Sequence, residues 1–318
     1  MSDRDIRILF MGTPDFAVFS LDALLGAGEN VVGVVTQTDK PRGRGYEMVP
    51  PPVKVFAQAH GIPVYQPKTL RDEAFAELLA RIDPDLIIVI AFGKILPENV
   101  LSYPRLGCIN VHGSLLPRYR GAAPMQRAIM EGERVTGITT MFMDAGVDTG
   151  DMLLRAELPI GEDDNFETIH DKLGALGAGT LMKTLAALRA GTLRRERQDD
   201  SLATYAAKIE KEDCLLDFTL PAATLANRIR GLSPVPLAFT HTPDGKMLKV
   251  IAARVAKDAA VPAGARPGEI IDTSDGTVTV ACGEGALSLT RVLPEGKARM
   301  DSADFIRGRK VAVGDILR

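Results

Sequence analysis

The chain has no tryptophan, three cysteines and no long apolar run in its 318 residues. The cysteines, Cys108, Cys214 and Cys282, lie far apart and form no C-x-x-C pair, which argues against a structural zinc site. Their odd number argues against a disulfide scaffold. A membrane-spanning helix needs about 18 consecutive apolar residues, and the opening segment MSDRDIRILFMG is charged where a signal peptide would be apolar. We therefore expect a cytoplasmic protein with no membrane segment.

Charge is divided unevenly along the chain. Residues 1–207 carry 22 Lys and Arg against 27 Asp and Glu, whereas residues 208–318 carry 16 against 14. The mildly basic second part permits contact with a polyanion. With five tyrosines and no tryptophan, the chain has few platforms on which bases could stack, which argues against a general single-strand nucleic-acid binder.

The first half alternates β-branched runs with amphipathic segments. Strands are predicted at Ile6–Met11, Val31–Thr36, Pro63–Tyr65, Leu86–Phe92 and Gly137–Met143, and helices at Phe16–Leu25, Val53–His60, Arg71–Ile82, Ala122–Glu131 and Phe166–Ala190. Apolar strands separated by helices are typical of a mostly parallel sheet covered on both faces, so the pattern predicts a doubly wound α/β domain. Between residues 38 and 52 glycine, proline and cations interrupt the pattern, as in a functional or simply solvated loop.

The second half predicts a smaller β domain. Residues 190–207 are polar and charged, and predict a linker between a domain of residues 1–189 and one of residues 208–318. Short strands are predicted at Leu237–Thr240, Leu248–Ala253, Gly268–Asp272, Thr277–Ala281 and Ala286–Val292. Their Gly, Pro and Asp turns indicate a small barrel or sandwich.

Two common nucleotide-binding loops are missing from the chain. The turn after the first predicted strand, MGTPDF, has one glycine where a dinucleotide-binding loop needs three. No G-x-x-x-x-G-K-[ST] occurs either. These absences argue against a Rossmann dehydrogenase and a P-loop enzyme.

A polar pair ends the predicted strand within GCINVHGSLLP. Side chains alternate along a strand, so Asn110 and His112 point to the same face. The later segment MDAGVDTGD carries Asp144, Asp148 and Asp151 on a loop that can bend back toward His112. We assign Asp148, at the apex, as the carboxylate that orients His112. These acids would also fit a cation, but no second ligand cluster supports a metal.

Asn110, His112 and Asp148 form a reactive set without a nucleophilic side chain. Asn110 can donate to an oxyanion and His112 can move a proton. Ser114 lies outside any G-x-S-x-G elbow. The set favours direct attack of a substrate amine on a carbonyl, with no covalent enzyme adduct.

The chain resembles the folate-dependent formyltransferases. The resemblance is carried by RILFMGTPDFA, TQTDKPRGRG, AFGKILP, HGSLLPRYRGAAPMQRAI, DAGVDTGD and LPEGKARMDSADFIRG, and covers essentially the whole chain. It implies a Rossmann-like formyltransferase domain followed by an OB-like barrel. It also implies 10-formyltetrahydrofolate as the formyl donor and co-substrate, no metal, and initiator methionyl-tRNA as the acceptor. We expect the protein to be a monomer with no membrane partner.

The resemblance also implies roles for individual residues. The catalytic residues would be Asn110, His112 and Asp148. Folate would be bound by Ser114, Leu115, Leu116 and Pro117, with the backbone of Phe92, Lys94 and Leu96 beside them. An insertion that enters the acceptor stem of the tRNA would include Lys40, Arg42 and Arg44. After this insertion's Gly45 the chain has Tyr46 and Glu47 where relatives carry lysines.

Other functions fit parts of the same pattern. A sugar-nucleotide N-formyltransferase would use the same folate donor, and the GRG loop and EGKARM segment favour tRNA over it. Glycinamide ribonucleotide formyltransferase shares the catalytic signature but needs no second domain, and a hydrolase could release formate from the same site. An RNA-binding protein with an inactive first domain is the non-enzymatic alternative, which the intact Asn110, His112 and Asp148 disfavour.

Overall fold

The computed structural model describes residues 6–42, 46–308 and 310–318, without the side chain of Arg42. The described chain divides into two compact units. The first comprises Met1–Gly121, Val135–Pro159 and His170–Tyr205, and the second comprises Ala122–Arg134, Ile160–Ile169 and Ala206–Arg318. Each unit thus draws on segments that are distant in sequence. The boundaries 1–189, 190–207 and 208–318 stay a prediction.

The first unit contains alternating strands and helices. Its strands are β1 (Ile8–Gly12), β2 (Val31–Val35), β3 (Lys40–Arg42), β4 (Glu47–Val49), β5 (Val64–Tyr65), β6 (Leu86–Ile90), β7 (Cys108–His112), β8 (Arg120–Gly121), β9 (Val135–Phe142) and β10 (Met152–Pro159). Its helices are α1 (Asp15–Gly26), α2 (Pro52–Ala59), α3 (Glu73–Ile82) and α4 (Glu98–Leu101). Helix α5 (Pro124–Met130) belongs to the second unit, and most of α6 (Phe166–Ala190) belongs to the first.

Among the described residues, seven strands form one sheet in the order β10-β9-β7-β6-β1-β2-β5. The strands from β7 to β5 in this order pair in parallel, and β9 and β10 pair antiparallel. Strands β1 and β6 are wholly buried, which explains their continuous apolar sequences. The strand order reverses between β1 and β6, and sheets of this kind bind ligands at the carboxyl ends of the strands at such a point. The predicted doubly wound, mostly parallel sheet is confirmed.

Two of the differences from the sequence prediction concern strands of the first unit. The stretch predicted as an irregular loop contains a hairpin, in which β3 and β4 pair antiparallel. Each of its strands has three residues, too few to show a period of two. Strand β10 was not predicted. It lies at the sheet edge with one side exposed, so it lacks the continuous apolar run that marks the parallel strands.

The second unit is built on an antiparallel sheet. Its further elements are α7 (Ala222–Leu232), β12 (Ala238–His241), β13 (Met247–Val255), β14 (Ile270–Asp272), β15 (Val278–Ala281), β16 (Ala286–Pro294), β17 (Met300–Asp301) and α8 (Ser302–Arg307), and β11 (Tyr205–Ala206) lies where the chain enters this unit. The described strands follow the order β12-β13-β16-β15-β14, with β17 beside β16. This curled half-barrel corresponds to the predicted small OB-like domain.

Helix α5 packs against α7 within the second unit. A Cβ added at Gly231 would lie 2.6 Å from Cγ of Met130 and 2.9 Å from the carbonyl oxygen of Gln126, so the backbones approach closely. Arg127 donates to both carboxylate oxygens of Asp213, at 3.0 and 2.7 Å. This hydrogen bond lowers the pKa of Asp213. Residues 122–134 are therefore held in the second unit by packing and by charge.

Helix α6 uses glycines where it approaches its neighbours. A Cβ at Gly174 would lie 2.5 Å from Cδ2 of Phe19 on α1, and one at Gly177 would lie 3.3 Å from Val111 on β7, whereas one at Gly179 would meet open space. Val111 therefore faces α6, which leaves the opposite face of β7 to its polar side chains. None of the helices in the described ranges has the length and apolar character required to cross a bilayer.

Gly174→Ala and Gly179→Ala form a matched pair of substitutions within α6. We expect Gly174→Ala to lower the free energy of unfolding by about 1–3 kcal/mol, because its methyl group enters the space of the Phe19 ring. Gly179→Ala should raise it by about 0.5–1 kcal/mol through helix propensity alone. Urea unfolding followed by circular dichroism measures both, and equal effects would contradict the packing described.

The three cysteines should be unreactive in the folded protein. All three are buried, and burial raises the pKa of Cys108 to about 12, that of Cys282 to about 11, and that of Cys214 above its ordinary value. Because the thiolate is the reactive form, a raised pKa lowers the reactive fraction at pH 8. We expect no fast reaction with a disulfide reagent at pH 8 before unfolding in urea, and three reactive thiols afterwards. Rapid labelling of the folded protein would show that the prediction is wrong.

Candidate active site

Strand β7 places Asn110 and His112 at the carboxyl edge of the sheet. It pairs with β6 on one side and with β9 on the other, where His112 lies opposite Thr139. The side chains of Asn110 and His112 are 9% and 6% exposed. Being two residues apart, they share the face opposite Val111. The sheet itself therefore fixes their separation and direction.

Asp148 reaches this pair from the loop between β9 and β10. Its Oδ2 lies 3.6 Å from Nδ1 of His112, and Nδ2 of Asn110 donates to its Oδ1 over 3.4 Å. The backbone N–H of Gly121 donates to Oδ2 at 2.8 Å. The structure thus brings the three predicted catalytic side chains together, with the carboxylate fixed to the backbone.

The other two acids of this loop have different partners. Asp144 accepts hydrogen bonds from the backbone N–H of Gly146 at 3.0 Å and from the hydroxyl of Thr149 at 2.6 Å, so it shapes the loop. Asp151 accepts from Nε of Arg195 at 2.9 Å. In the ranges that the structure describes, no group of three or more His, Cys, Asp or Glu residues is arranged to hold a metal.

The hydrogen bonds of His112 define which ring nitrogen exchanges a proton. Nε2 lies 2.9 Å from the carbonyl oxygen of Tyr119. A carbonyl oxygen can only accept, so Nε2 carries its hydrogen and donates it. Nδ1 faces the carboxylate of Asp148. Nδ1 is therefore the ring nitrogen that remains available to exchange a proton.

The turn after β7 is held by Thr139. Its hydroxyl donates to the carbonyl oxygen of Ser114 at 2.7 Å and accepts from the backbone N–H of Leu116 at 3.1 Å. Ser114 is fully buried, and its own hydroxyl donates to the carbonyl oxygen of Arg118 at 2.6 Å. A buried and committed hydroxyl is a poor nucleophile, as the sequence interpretation required. Of the other residues predicted to bind folate here, Leu116 is buried, and Leu115 and Pro117 are partly exposed.

Strand β6, next to β7, leads into the remaining residues predicted at the folate pocket. The carbonyl oxygen of Phe92 accepts from the hydroxyl of Thr13 at 3.1 Å and from Nε2 of Gln37 at 2.8 Å. The side chains of Phe92 and Leu96 lie in the core. The ammonium of Lys94 donates to two backbone carbonyl oxygens, at 2.8 and 3.0 Å. Since the side chains of Phe92 and Leu96 are buried, a ligand at this edge would meet only their backbone atoms.

The structure describes the backbone of two of the three cations predicted to contact tRNA. Lys40 and Arg42 lie on β3. Arg44 lies outside the described residues. The side chain of Lys40 is exposed.

A hydrogen-bond network holds the base of the β3–β4 hairpin. Asp39 accepts from Nζ of Lys54 at 2.8 Å and from Nε2 of Gln66 at 2.8 Å. The hydrogen bond from Lys54 is the main reason why the pKa of Asp39 is lowered. Gln66 also donates to the backbone carbonyl oxygen of Gln37 at 2.7 Å, and the side chain of Gln37 contacts Phe92. The hairpin base and the carboxyl end of β6 thus share one network.

Two buried polar residues, Arg120 and Gln198, form hydrogen bonds that lead to the backbone of Asp148. Neither residue was singled out from the sequence. Arg120, 2% exposed, donates through Nε and Nη2 to Oε1 of Gln198 at 3.0 and 2.8 Å. Nε2 of Gln198 donates to the carbonyl oxygens of Asp148 and Gly150, both at 2.8 Å. Arg120 stands within the RYRG segment, which could have pointed to it. Gln198 lies in a polar segment without periodicity or motif, so no sequence signal marks it.

Matches to protein families cover both parts of the chain. The formyl transferase family model matches residues 6–185, and the model of the formyl transferase C-terminal domain matches residues 208–310. The methionyl-tRNA formyltransferase of Geobacter metallireducens is 47% identical over 309 residues, which cover 97% of each chain. That of Stutzerimonas stutzeri is 52% identical over 295 residues, or 92% of each chain.

Solved structures share the fold at lower identity. HypX from Aquifex aeolicus, in complex with tetrahydrofolic acid, has a TM-score of 0.65 at 19% identity over 95% of this chain and 47% of its own, so this chain spans about half the length of HypX. The N-formyltransferase from Helicobacter canadensis, in complex with folinic acid and dTDP-3-aminofucose, has a TM-score of 0.65 at 17% identity, over 89% of this chain and 98% of its own. These likenesses concern the fold, whereas the full-length sequence similarity decides the family. The chain belongs to the methionyl-tRNA formyltransferase family.

Proposed function

We propose that this chain transfers the formyl group of 10-formyltetrahydrofolate to the α-amino group of methionine on initiator methionyl-tRNA, as a monomer in the cytoplasm. The observation that carries the proposal is the convergence of Asn110, His112 and Asp148 at the end of β7. The full-length relatives, which are named methionyl-tRNA formyltransferases, support the acceptor. The folate compounds bound to proteins of the same fold support the donor class.

The first step is attack of the neutral amine on the formyl carbon. An α-amino group has a pKa of about 7.7–8.0, so a useful fraction is neutral at cytoplasmic pH. The new carbon–nitrogen bond places negative charge on the formyl oxygen. Asn110 has a second amide hydrogen beyond the one directed at Asp148. We assign this hydrogen as a donor to the oxyanion, together with Nδ1–H of His112 when the ring carries hydrogens on both nitrogens.

The second step breaks the bond between the formyl carbon and N10 of the folate. The attacking nitrogen must lose a proton while N10 gains one, so the proton balance closes between the two substrates. We assign the Asp148 carboxylate to carry this proton and to keep His112 oriented. The backbone N–H of Gly121 fixes Oδ2 of Asp148 by a hydrogen bond, and the same oxygen lies next to Nδ1 of His112.

The substrates are expected to approach from different segments. We assign the turn of Ser114, Leu115, Leu116 and Pro117, together with the backbone of Phe92, Lys94 and Leu96, to the folate. These segments follow β7 and β6, which are parallel neighbours and therefore end at the same edge. We assign Lys40, Arg42 and Arg44 to phosphates of the tRNA acceptor stem.

The test is a direct assay of the acceptor. The protein is incubated with 10-formyltetrahydrofolate and either methionyl-tRNA or an amino sugar nucleotide, the alternative acceptor suggested by the sequence. Formylmethionine recovered after deacylation of the tRNA is the expected product. Formylation of the sugar nucleotide alone would overturn the acceptor, and the absence of product from both would overturn formyl transfer itself.

Substitution of the three clustered side chains should abolish most turnover. For Asn110→Ala we expect a loss of about 10²–10³-fold in kcat, which is typical of an oxyanion donor, and His112→Ala and Asp148→Asn should also be strongly impaired. The measurement is single-turnover formylation with both substrates saturating. Asp151→Asn is the matched control, because this acid of the same loop faces Arg195 and should retain turnover. Near wild-type turnover in all three variants would refute the assignment.

Removing positive charge from the hairpin should weaken tRNA use selectively. For Arg42→Ala combined with Arg44→Ala we expect a lower kcat/KM for methionyl-tRNA and an unchanged KM for the folate. Each lost phosphate contact should also reduce the slope of log kcat/KM against log salt by about 0.7–0.9. Arg71→Ala combined with Arg81→Ala removes the same charge from exposed positions elsewhere and serves as the control. Equal losses for folate and tRNA would instead assign Arg42 and Arg44 to maintenance of the fold.

A further inference from the structure

Both groups that contact the His112 ring belong to residues in the left-handed backbone region. Asp148 has a φ of 55° and Tyr119 has a φ of 60°. Residues with a side chain adopt this conformation at a cost, and they keep it only where the surroundings enforce it. Something outside these two residues must therefore hold the carboxylate and the carbonyl oxygen that His112 meets.

Gln198 supplies this support for Asp148. Its amide nitrogen donates at 2.8 Å to the carbonyl oxygens of both Asp148 and Gly150, and so bridges the backbone on either side of Thr149. The residue is 5% exposed, so water has little access to replace these two hydrogen bonds. The pair of bonds restricts the backbone from which the carboxylate projects.

Arg120 determines which end of the Gln198 amide faces the loop. A guanidinium has donors only, so the group that meets it must be the amide oxygen. The amide nitrogen is then directed at the two carbonyl oxygens. Nη2 of Arg120 also donates to Asp200 at 2.8 Å, which balances the buried positive charge.

The same short segment supports the other side of the ring. The hydroxyl of Thr204 accepts a hydrogen bond from the backbone N–H of Tyr119 at 2.8 Å. The carbonyl oxygen of Thr204 accepts one from the backbone N–H of Arg120, also at 2.8 Å. Glu196 exchanges two backbone hydrogen bonds with Met152, at 2.8 and 2.9 Å. Residues 196–204, here called the support segment, lie between the two family matches, which end at residue 185 and begin at residue 208.

We propose that Gln198 is a positioning residue for formyl transfer, which holds the Asp148 carboxylate in place beside Asn110 and His112 through the carbonyl oxygens of residues 148 and 150. The inference rests on the proposed catalytic role of Asp148. In this scheme the support segment affects the rate of formyl transfer, although it contacts neither the amine nitrogen nor the formyl carbon.

Gln198→Glu removes the two donated hydrogen bonds and places a carboxylate oxygen against the two loop carbonyl oxygens. The carboxylate keeps an acceptor for Arg120 but has no hydrogen for the loop carbonyl oxygens. We expect kcat to fall about 10–100-fold, since small displacements of a catalytic group are costly, while KM for folate and for methionyl-tRNA stays within about twofold. Gln58→Met, on the exposed side of α2, is the control and should keep wild-type kcat. Unchanged kcat in a folded Gln198→Glu protein overturns the proposal.

A double-mutant cycle tests whether the effect passes through Asp148. In the Asp148→Asn background, Gln198→Glu should change kcat by less than about twofold, because the group that it positions has already been lost. A purely structural role would lower kcat by the same factor in both backgrounds. That additive result would contradict positioning even if the single variant is slow.

Nuclear magnetic resonance separates failure of this proposal from failure of the proposed function. The ¹⁵N resonance of His112 Nδ1 should shift in Gln198→Glu and not in Gln58→Met, whether or not the wild-type protein formylates tRNA. No shift would overturn the positioning role on its own. Gln198→Met replaces Gln198→Glu in every measurement if the latter does not fold. If neither variant folds, Gln198 belongs to the fold and the proposal is wrong.

Discussion

The proposed active site depends on keeping the Asp148 carboxylate in a fixed position beside the His112 imidazole. Strand β7 fixes Asn110 and His112 through the sheet, but Asp148 lies on a loop and its own backbone is in the left-handed region. The loop contributes its own Asp144 turn, and Gly121 contributes a backbone N–H to the carboxylate. A rigid strand therefore meets a loop that needs outside support. The hydrogen bonds that Gln198 makes with the loop and with Arg120 therefore belong to the proposed site together with Asn110, His112 and Asp148.

The sequence predicted what local patterns encode. Continuous apolar runs predicted the parallel strands, and the two-residue spacing of Asn110 and His112 predicted their common face, which the packing of Val111 against α6 supports. It could not predict the bonds that join residues with no local relationship. Gln198 meets the Asp148 carbonyl oxygen across 50 positions, and Arg120 meets Gln198 across 78. The edge strand β10 and the short hairpin strands were missed because exposed or very short strands carry no continuous apolar run.

A hydrogen-bond network at the carboxyl ends of β1, β2 and β6 fixes the backbone at Phe92, in the segment that we assign to the folate. Thr13 and Gln37 both donate to the Phe92 carbonyl oxygen, and Gln37 accepts in turn from Gln66. The same Gln66 bonds Asp39 at the base of the β3–β4 hairpin. The segment assigned to folate and the segment assigned to tRNA thus rest on common hydrogen bonds.

The place of the support segment has a consequence for protein engineering. A chimera that exchanges C-terminal halves between members of this family would naturally be joined between residues 185 and 208, where neither family match applies. A junction upstream of Gln198 would take that residue from the donor chain while Arg120 came from the recipient. A crossover after Thr204 keeps the hydrogen bonds of the support segment with Tyr119, Arg120 and Asp148 within one parent. A junction placed between residues 185 and 198 would therefore disrupt these hydrogen bonds, although neither family match covers it.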